Sequence, residues 1–354
     1  MKVAVLGAGS MGETVISHLK DSKIVTGATA YDIRPERIKE LKSKGISATN
    51  NLEALLNDKE IRLVFVTASN DAHRELTIRS LEAGKAVMCE KPMALTLSDA
   101  EAMVNKAEEL KGFLQIGFEL RYSKLYTKVK EWIDQGLLGK VVNTNCYYIA
   151  SAWEKNTWRI KNGPCGGMFG EKLSHYVDLP RWWVGAKVVD VFSCSAPNTV
   201  PYFEIRDNYH TTYRFSNGAV SSLTFMMGPA AHFAGDPLRD AVTQQIGDGH
   251  TLKFIVAGDK GAAETEIFGR TIKRWEYSDS HDYMISTLVE NITWDCAQDH
   301  FYFHNTTDQT IDIVDRASKG LPPKTAPRDA LETMRLCFAA EQSSNTGKLV
   351  TLND

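Results

Sequence analysis

Over roughly the first 120 residues, short and almost unbroken apolar runs alternate with segments whose apolar positions recur every three to four residues. The runs Lys2–Leu6, Ile24–Tyr31, Leu63–Thr67, Ala86–Cys89 and Phe113–Phe118 lack the apolar–polar alternation of a half-exposed sheet. They read as strands buried on both faces of a parallel sheet. The segments between them read as helices. Pro35 marks one helix start and Gly45 follows its end, Gly84 closes another, and Ser98 with Glu101 forms a capping-box pattern. Repeated β-α-β order of this kind predicts a doubly wound α/β domain.

Past residue 120 the pattern changes. A helical period over about 124–135 leads to a strand at Val141–Ala150, then a polar loop carrying Trp153 and Trp158, then a helix near 168–183. From about 187 to 277 alternation predicts antiparallel strands, with Asn217-Gly218 as a type I′ hairpin turn and Asp259-Lys260-Gly261 as another turn. Helical patterns follow at about 281–291, 308–319 and 327–345, and Lys348–Leu352 reads as a short last strand. The expected architecture is a Rossmann domain over 1–120 and an α+β domain with a large, mainly antiparallel open sheet over 121–354.

Composition narrows the class. The chain has 354 residues, enough for two domains, and its 43% hydrophobic content suffices for ordinary cores. With 41 basic and 44 acidic residues, neither nucleic acid nor an anionic membrane surface is the expected partner. No run reaches the roughly 18 apolar residues that span a bilayer. The first residues pass straight from a short apolar run into a glycine turn, without a leader pattern, so the expected location is the cytoplasm. Cys89, Cys146, Cys165, Cys194, Cys296 and Cys337 are scattered and form no C-x-x-C pair, which predicts reduced packing residues and no metal framework.

Gly7-Ala8-Gly9-Ser10-Met11-Gly12 fits G-x-G-x-x-G between a buried strand and a helix in which Met11, Val15, Ile16 and Leu19 recur with helical period. Gly7 suits the tight turn, Gly9 the approach of backbone to a pyrophosphate, and Gly12 the close packing of helix on strand. The backbone N–H groups at the helix start, from Ser10 and Met11 onward, add positive dipole. Asp32, twenty residues past Gly12, ends the second strand, where a carboxylate accepts from the adenosine ribose hydroxyls and favours NAD. Arg34 and Arg37 lie just beyond and leave NADP open as a 2′-phosphate ligand.

Candidate chemistry falls in three places. Lys91, in Cys89-Glu90-Lys91-Pro92, sits at the carboxyl end of a sheet strand, where open α/β folds bind ligands and where it can hydrogen-bond a substrate hydroxyl. On the helix near 168–183, Glu171, His175 and Asp178 share one face, and a histidine beside carboxylates is suited to proton exchange near neutral pH. Arg121, Tyr122, Trp153, Trp158 and Arg159 supply aromatic and polar density suited to a sugar-like substrate, while Trp182 and Trp183 are expected to pack. No second histidine stands at ligand spacing from His175, so no metal is expected.

These residues together resemble the Gfo/Idh/MocA family of glucose–fructose oxidoreductase and inositol dehydrogenase. The resemblance runs the whole length and rests on the glycine motif, on Thr67-Ala68-Ser69-Asn70-Asp71-Ala72-His73, on Leu81 through Glu90-Lys91-Pro92, on Gly136 to Val141, and on Ser174-His175-Tyr176-Val177-Asp178-Leu179. It implies an NAD(P) enzyme acting on a CH–OH group of a sugar, inositol or related polyol. Lys91 and His175 would handle the proton, supported by Glu171. Thr67, Ser69, Asn70 and His73 would line the cofactor crevice, and Glu90 would hold the nicotinamide end. It also implies a homodimer or homotetramer formed through the open face of the second sheet. Two positions depart from the family pattern. Glu171 stands where Asp is usual, and Gly117-Phe118-Glu119-Leu120-Arg121-Tyr122 replaces Gly-Phe-Asn-Arg-Arg-Phe, so that only Arg121 carries over. Alternatives are an NAD-dependent glycoside lyase or hydrolase working by transient sugar oxidation, which an extra acid at Glu171 would suit, and a non-catalytic dinucleotide sensor, which would need neither Lys91 nor His175.

Overall fold

Val3, Ala4, Val5 and Leu6 are fully buried, as are Leu63 through Val66, the burial that apolar runs without alternation require. In the computed structural model, which describes residues 1–20, 22–230 and 249–352, these runs form strands β1 (Lys2–Leu6) and β4 (Ile61–Val66). With β2 (Gly27–Tyr31), β3 (Ser47–Thr49), β5 (Ala86–Cys89) and β6 (Leu114–Ile116) they make a parallel sheet of order β3-β2-β1-β4-β5-β6. The order reverses between β1 and β4, and at such a switch point the strand ends splay to leave room for a ligand.

The chain divides into two compact units, one of Met1–Phe118 with Thr306–Arg335 and the other of Glu119–Asn305 with Leu336–Asp354. A single cut near residue 120 therefore does not describe it, because Thr306–Lys319 returns to the first unit as a helix. Ile313 and Val314 from that helix lie fully buried in one core with Val15, Ile16, Leu19, Leu63 and Phe65.

Helix Leu97–Glu109 starts from Thr96, whose hydroxyl accepts from the Asp99 N–H at 3.1 Å. The expected cap at Ser98 is displaced because Thr96 already satisfies that first-turn donor two residues earlier.

In the second unit nine described strands form one sheet: β7 (Val141–Ala150), β8 (Val188–Cys194), β9 (Asn208–Phe215), β10 (Val220–Met227), β11 (Thr251–Gly258), β12 (Gly261–Glu266), β13 (Thr271–Ser278), β14 (Ile285–Thr293) and β15 (Val350–Thr351). Their order is β14-β13-β12-β11-β7-β10-β9-β8-β15, antiparallel except where β7 and β10 pair in parallel. One face buries Tyr148, Tyr213, Phe225 and Phe254 in a core with Tyr126, Trp132, Phe169 and Trp183 from the helical segments. Alternation leaves the other face open, with Tyr147, Phe192 and Ile255 exposed.

Three local expectations are corrected. Residues 281–291 were expected to be helical, but Ile285–Thr293 is strand β14, paired along its length with β13. Its β-branched residues Ile285, Thr287, Val289, Ile292 and Thr293 favour the extended chain, and pairing with β13 overrides the helical period. The Asn217-Gly218 hairpin is not type I′. Only Gly218 takes a positive φ (88°), the Gly218 N–H donates to Phe215 O, and the Phe215 N–H donates to Ala219 O. That is a three-residue loop, a turn followed by glycine in the left-handed region. Finally, Cys194 and Cys296 are exposed, so packing explains only the four buried cysteines.

Among the described residues no helix is long and apolar enough to cross a membrane, and no group of three or more His, Cys, Asp or Glu residues is placed to hold a metal ion.

Candidate active site

The glycine turn after β1 is shaped by close approach. Gly7 has φ 102°, and a Cβ there would lie 2.3 Å from the Ala68 backbone. A Cβ on Gly12 would lie 2.2 Å from the Gly7 carbonyl oxygen, so the helix Ser10–Leu19 packs on the strand only without a side chain. Gly9 differs, because a Cβ there would meet nothing within 4 Å. The chain itself does not require glycine at this position, and the open space leaves the backbone accessible to a ligand. Ser10 and Met11 open the helix, whose first N–H groups have no intrahelical acceptor. This open, donor-rich cradle fits a pyrophosphate.

Asp32 is buried and accepts from the backbone N–H of Ala8 (3.2 Å) and Arg34 (3.0 Å), and from Arg34 Nε and Nη2 (both 2.9 Å). The Arg34 guanidinium holds this carboxyl below its ordinary value, so it is an acceptor at neutral pH. Arg37 donates to the Ala8 carbonyl (2.6 Å) and pairs with Glu13 and Glu40. Two expected lining residues act as braces within the fold. Thr67 donates to the Gly7 carbonyl at 2.6 Å, and His73 is 1% exposed, with Nδ1 2.8 Å from Pro92 O and Nε2 3.1 Å from Ala68 O. Ser69 precedes the turn Asn70–Ala72, in which Asn70 is buried.

The Lys91–Pro92 peptide is cis. Glu90, buried at the end of β5, accepts from the Lys91 N–H at 3.2 Å, and its carboxylate lies where a side chain at Gly117 would fall. Burial pushes the neighbouring Cys89 thiol up to about 12, which removes it as a nucleophile at neutral pH.

In the second unit the segment carrying the expected acid–base residues is not a regular helix. Phe169–Leu173 is a π turn that passes into the α-helix Ser174–Val184. Inserted π turns re-aim side chains and recur at functional sites. Here the carboxylates divide. Glu171 receives Arg159 Nε at 2.7 Å, and Asp178 receives Arg121 through two bonds of 2.7 Å each, with Arg121 and Asp178 both buried.

The carboxylate set beside His175 comes from another element. Glu119 Oε2 lies 3.2 Å from His175 Nε2, and Glu119 Oε1 lies 2.8 Å from His304 Nδ1. Arg121, expected to reach substrate, is committed to Asp178, and Tyr122 is buried. Arg159 also stacks over Trp153 at 4.0 Å, and Lys172 Nζ lies 5.4 Å from the same ring, so Trp153, Arg159, Glu171 and Lys172 form one polar and aromatic cluster. Trp158 is exposed. Behind the π turn, Glu341 accepts from the Phe169 N–H (3.1 Å) and the Tyr209 hydroxyl (2.7 Å), and burial raises its carboxyl above the ordinary value.

Sequence reasoning missed Glu119, His304, Lys172 and Glu341 as parts of this arrangement. Glu119 carried a weak signal, a carboxylate between Phe118 and Leu120. The others lie on elements whose meeting depends on the tertiary fold.

A Rossmann sheet with a dinucleotide cradle, followed by a unit in which a large open sheet is joined by a helix carrying a buried histidine, defines a dinucleotide-dependent α/β oxidoreductase. The chain belongs to the Gfo/Idh/MocA oxidoreductase family. The family's NAD-binding Rossmann fold matches residues 1–118, and its C-terminal alpha/beta domain matches residues 130–352. The chain is similar to myo-inositol 2-dehydrogenase of Thermotoga maritima, 30% identical over 368 residues that cover 100% of this chain and 99% of that one. It is 27% identical to an inositol 2-dehydrogenase of Salmonella paratyphi B, covering 98% and 96% of the two chains. In fold it resembles a levoglucosan dehydrogenase solved with NADH and levoglucosan, with a TM-score of 0.80, 19% identity and full coverage of both chains.

Proposed function

We propose that this protein is an NAD-dependent dehydrogenase that reversibly oxidises a secondary CH–OH group of an inositol or a related sugar-like polyol. The observation that carries the substrate class is the end-to-end likeness to a myo-inositol 2-dehydrogenase. NAD, when bound, supplies the hydride acceptor. The glycine cradle and the start of helix Ser10–Leu19 hold the pyrophosphate, and Asp32 accepts from the ribose hydroxyls. With Arg34 folded onto Asp32 and Arg37 held by Ala8, Glu13 and Glu40, the arginines are poorly disposed toward a 2′-phosphate, which supports NAD over NADP.

His175 takes the hydroxyl proton, and Lys91, in the role the family resemblance implies, is a hydrogen-bond donor that eases its loss. Arg159, Glu171 and Trp153 offer donors, an acceptor and an aromatic face to a polyol ring. Glu171 in its ion pair with Arg159 is disposed to accept hydrogen bonds and not to deliver a proton to a leaving group, so the net dehydrogenase is favoured over a transient-redox lyase. The open sheet face with Tyr147, Phe192 and Ile255 supports self-association there.

His175→Ala and Lys91→Ala should each lower kcat by about 10²- to 10⁴-fold, the range of lost acid–base catalysis, with NAD affinity little changed. Turnover that survives either substitution contradicts the roles given to them.

A further inference from the structure

Glu119 opens the short turn Glu119–Tyr122 and is 6% exposed, flanked by the buried Phe118 and Leu120. A carboxylate at that depth is costly unless its oxygens are engaged. Both lie beside imidazoles, one in an ion-pair contact and the other in a hydrogen bond. Oε2 faces Nε2 of the buried His175 at 3.2 Å, and Oε1 faces Nδ1 of His304, whose side chain is 48% exposed, at 2.8 Å. The two rings lie 6.4 Å apart between centroids. Nearby, Asp178 pairs with Arg121 and Glu171 with Arg159, and the Tyr176 ring lies 6.4 Å from His175.

We infer that Glu119 is the positioning residue for His175: it holds the Nε2–H tautomer and balances the imidazolium charge, while His304 secures its second oxygen from the solvent side. The inference rests on the reading of His175 as the base. A carboxylate this close to Nε2 favours the proton on that nitrogen and leaves Nδ1 as the acceptor. When Nδ1 takes the proton of the substrate hydroxyl, the O–H bond breaks, its electron pair stays on oxygen, and a new N–H bond forms. Glu119 stays ionised and remains the counter-charge beside Nε2–H. In the reduction direction the same proton returns from Nδ1 to the alkoxide oxygen. A neutral amide at the position would orient the ring without compensating its charge.

The first test needs no substrate. Long-range ¹H–¹⁵N correlation spectra of the ¹⁵N-labelled protein, with His175 assigned by the signals lost in His175→Gln, report the tautomer and the titration midpoint of this ring. The wild type should show Nε2–H in the neutral form, and Glu119→Gln should lower the midpoint by about one to two pH units. An Nδ1–H tautomer in the wild type, or an unmoved midpoint in a folded Glu119→Gln, overturns the inference. The wild-type spectrum alone decides the tautomer, even if Glu119→Gln does not fold.

In turnover of the polyol most active with the wild type, Glu119→Gln should lower kcat by about 100-fold with little change in KM, and the acid limb of its pH profile should move to lower pH. If His175→Ala is inactive while Glu119→Gln turns over like the wild type, only the inference about Glu119 fails. If His175→Ala is active, the reading of His175 fails with it.

Discussion

At the scale of the single residue, charge placement makes the sharpest predictions. Asp32 is held ionised by Arg34, and its carboxylate is the proposed acceptor for the ribose hydroxyls. Asp32→Ala should raise the KM for NAD by about tenfold, the equivalent of roughly 1.4 kcal/mol, and should narrow the preference over NADP by freeing Arg34. Steady-state kinetics with both nucleotides check it, and an unchanged preference contradicts it. Glu341 makes a prediction about pH. Burial outweighs the hydrogen bonds it accepts and raises its carboxyl above 4.5, so ionising it costs more in the fold than in the unfolded chain. The stabilising contribution is therefore present below the ordinary value and lost as pH rises through the folded one. Melting curves from about pH 4 to about pH 8 should show the wild type losing stability relative to Glu341→Gln as pH rises, and parallel curves would refute this. Lys91 and His175 could be singled out as candidates because each sits in a contiguous motif. Glu119 and His304 were not, because 185 positions separate them and only the fold brings them together.

The element scale separates what the chain needs from what a ligand needs. A side chain on Gly12 collides with the Gly7 carbonyl, whereas one on Gly9 meets only open space. Gly12→Val should lower the melting temperature and abolish NAD binding. Gly9→Ala should melt like the wild type while its NAD dissociation constant rises by at least about tenfold, read by fluorescence titration. If both substitutions act through stability alone, the cradle does not bind the dinucleotide. The parallel strands were readable from sequence because burial on both faces writes itself as an unbroken apolar run. Strand β14 was not, because an edge strand with both faces partly exposed carries no clean period and its β-branched residues were the only cue. The π turn at Phe169–Leu173 was equally hidden. A 3.6-residue period put Glu171, His175 and Asp178 on one face, and one wider turn sends Glu171 to Arg159.

For the whole molecule, two features follow from how the chain is threaded. Residues 306–335 return to the first unit, so its core depends on a segment remote in sequence. Ile313→Ala, which empties a fully buried position in that core, should cost about 2–5 kcal/mol in chemical denaturation and weaken NAD binding with it. The broad open face of the second unit suits a subunit interface, and light scattering should find a mass of two or four chains that falls when Ile255 becomes Glu. The central claim is that the molecule moves a hydride between NAD and a polyol carbon. Absorbance at about 340 nm, where the reduced nicotinamide absorbs, tests it directly on purified protein with NAD and a panel of inositols, sugars and sugar acids. A steady rise with one or more inositols or related polyols, lost in His175→Ala, is the predicted result. No rise with any of them, from protein shown to bind NAD, would contradict the net dehydrogenase reading.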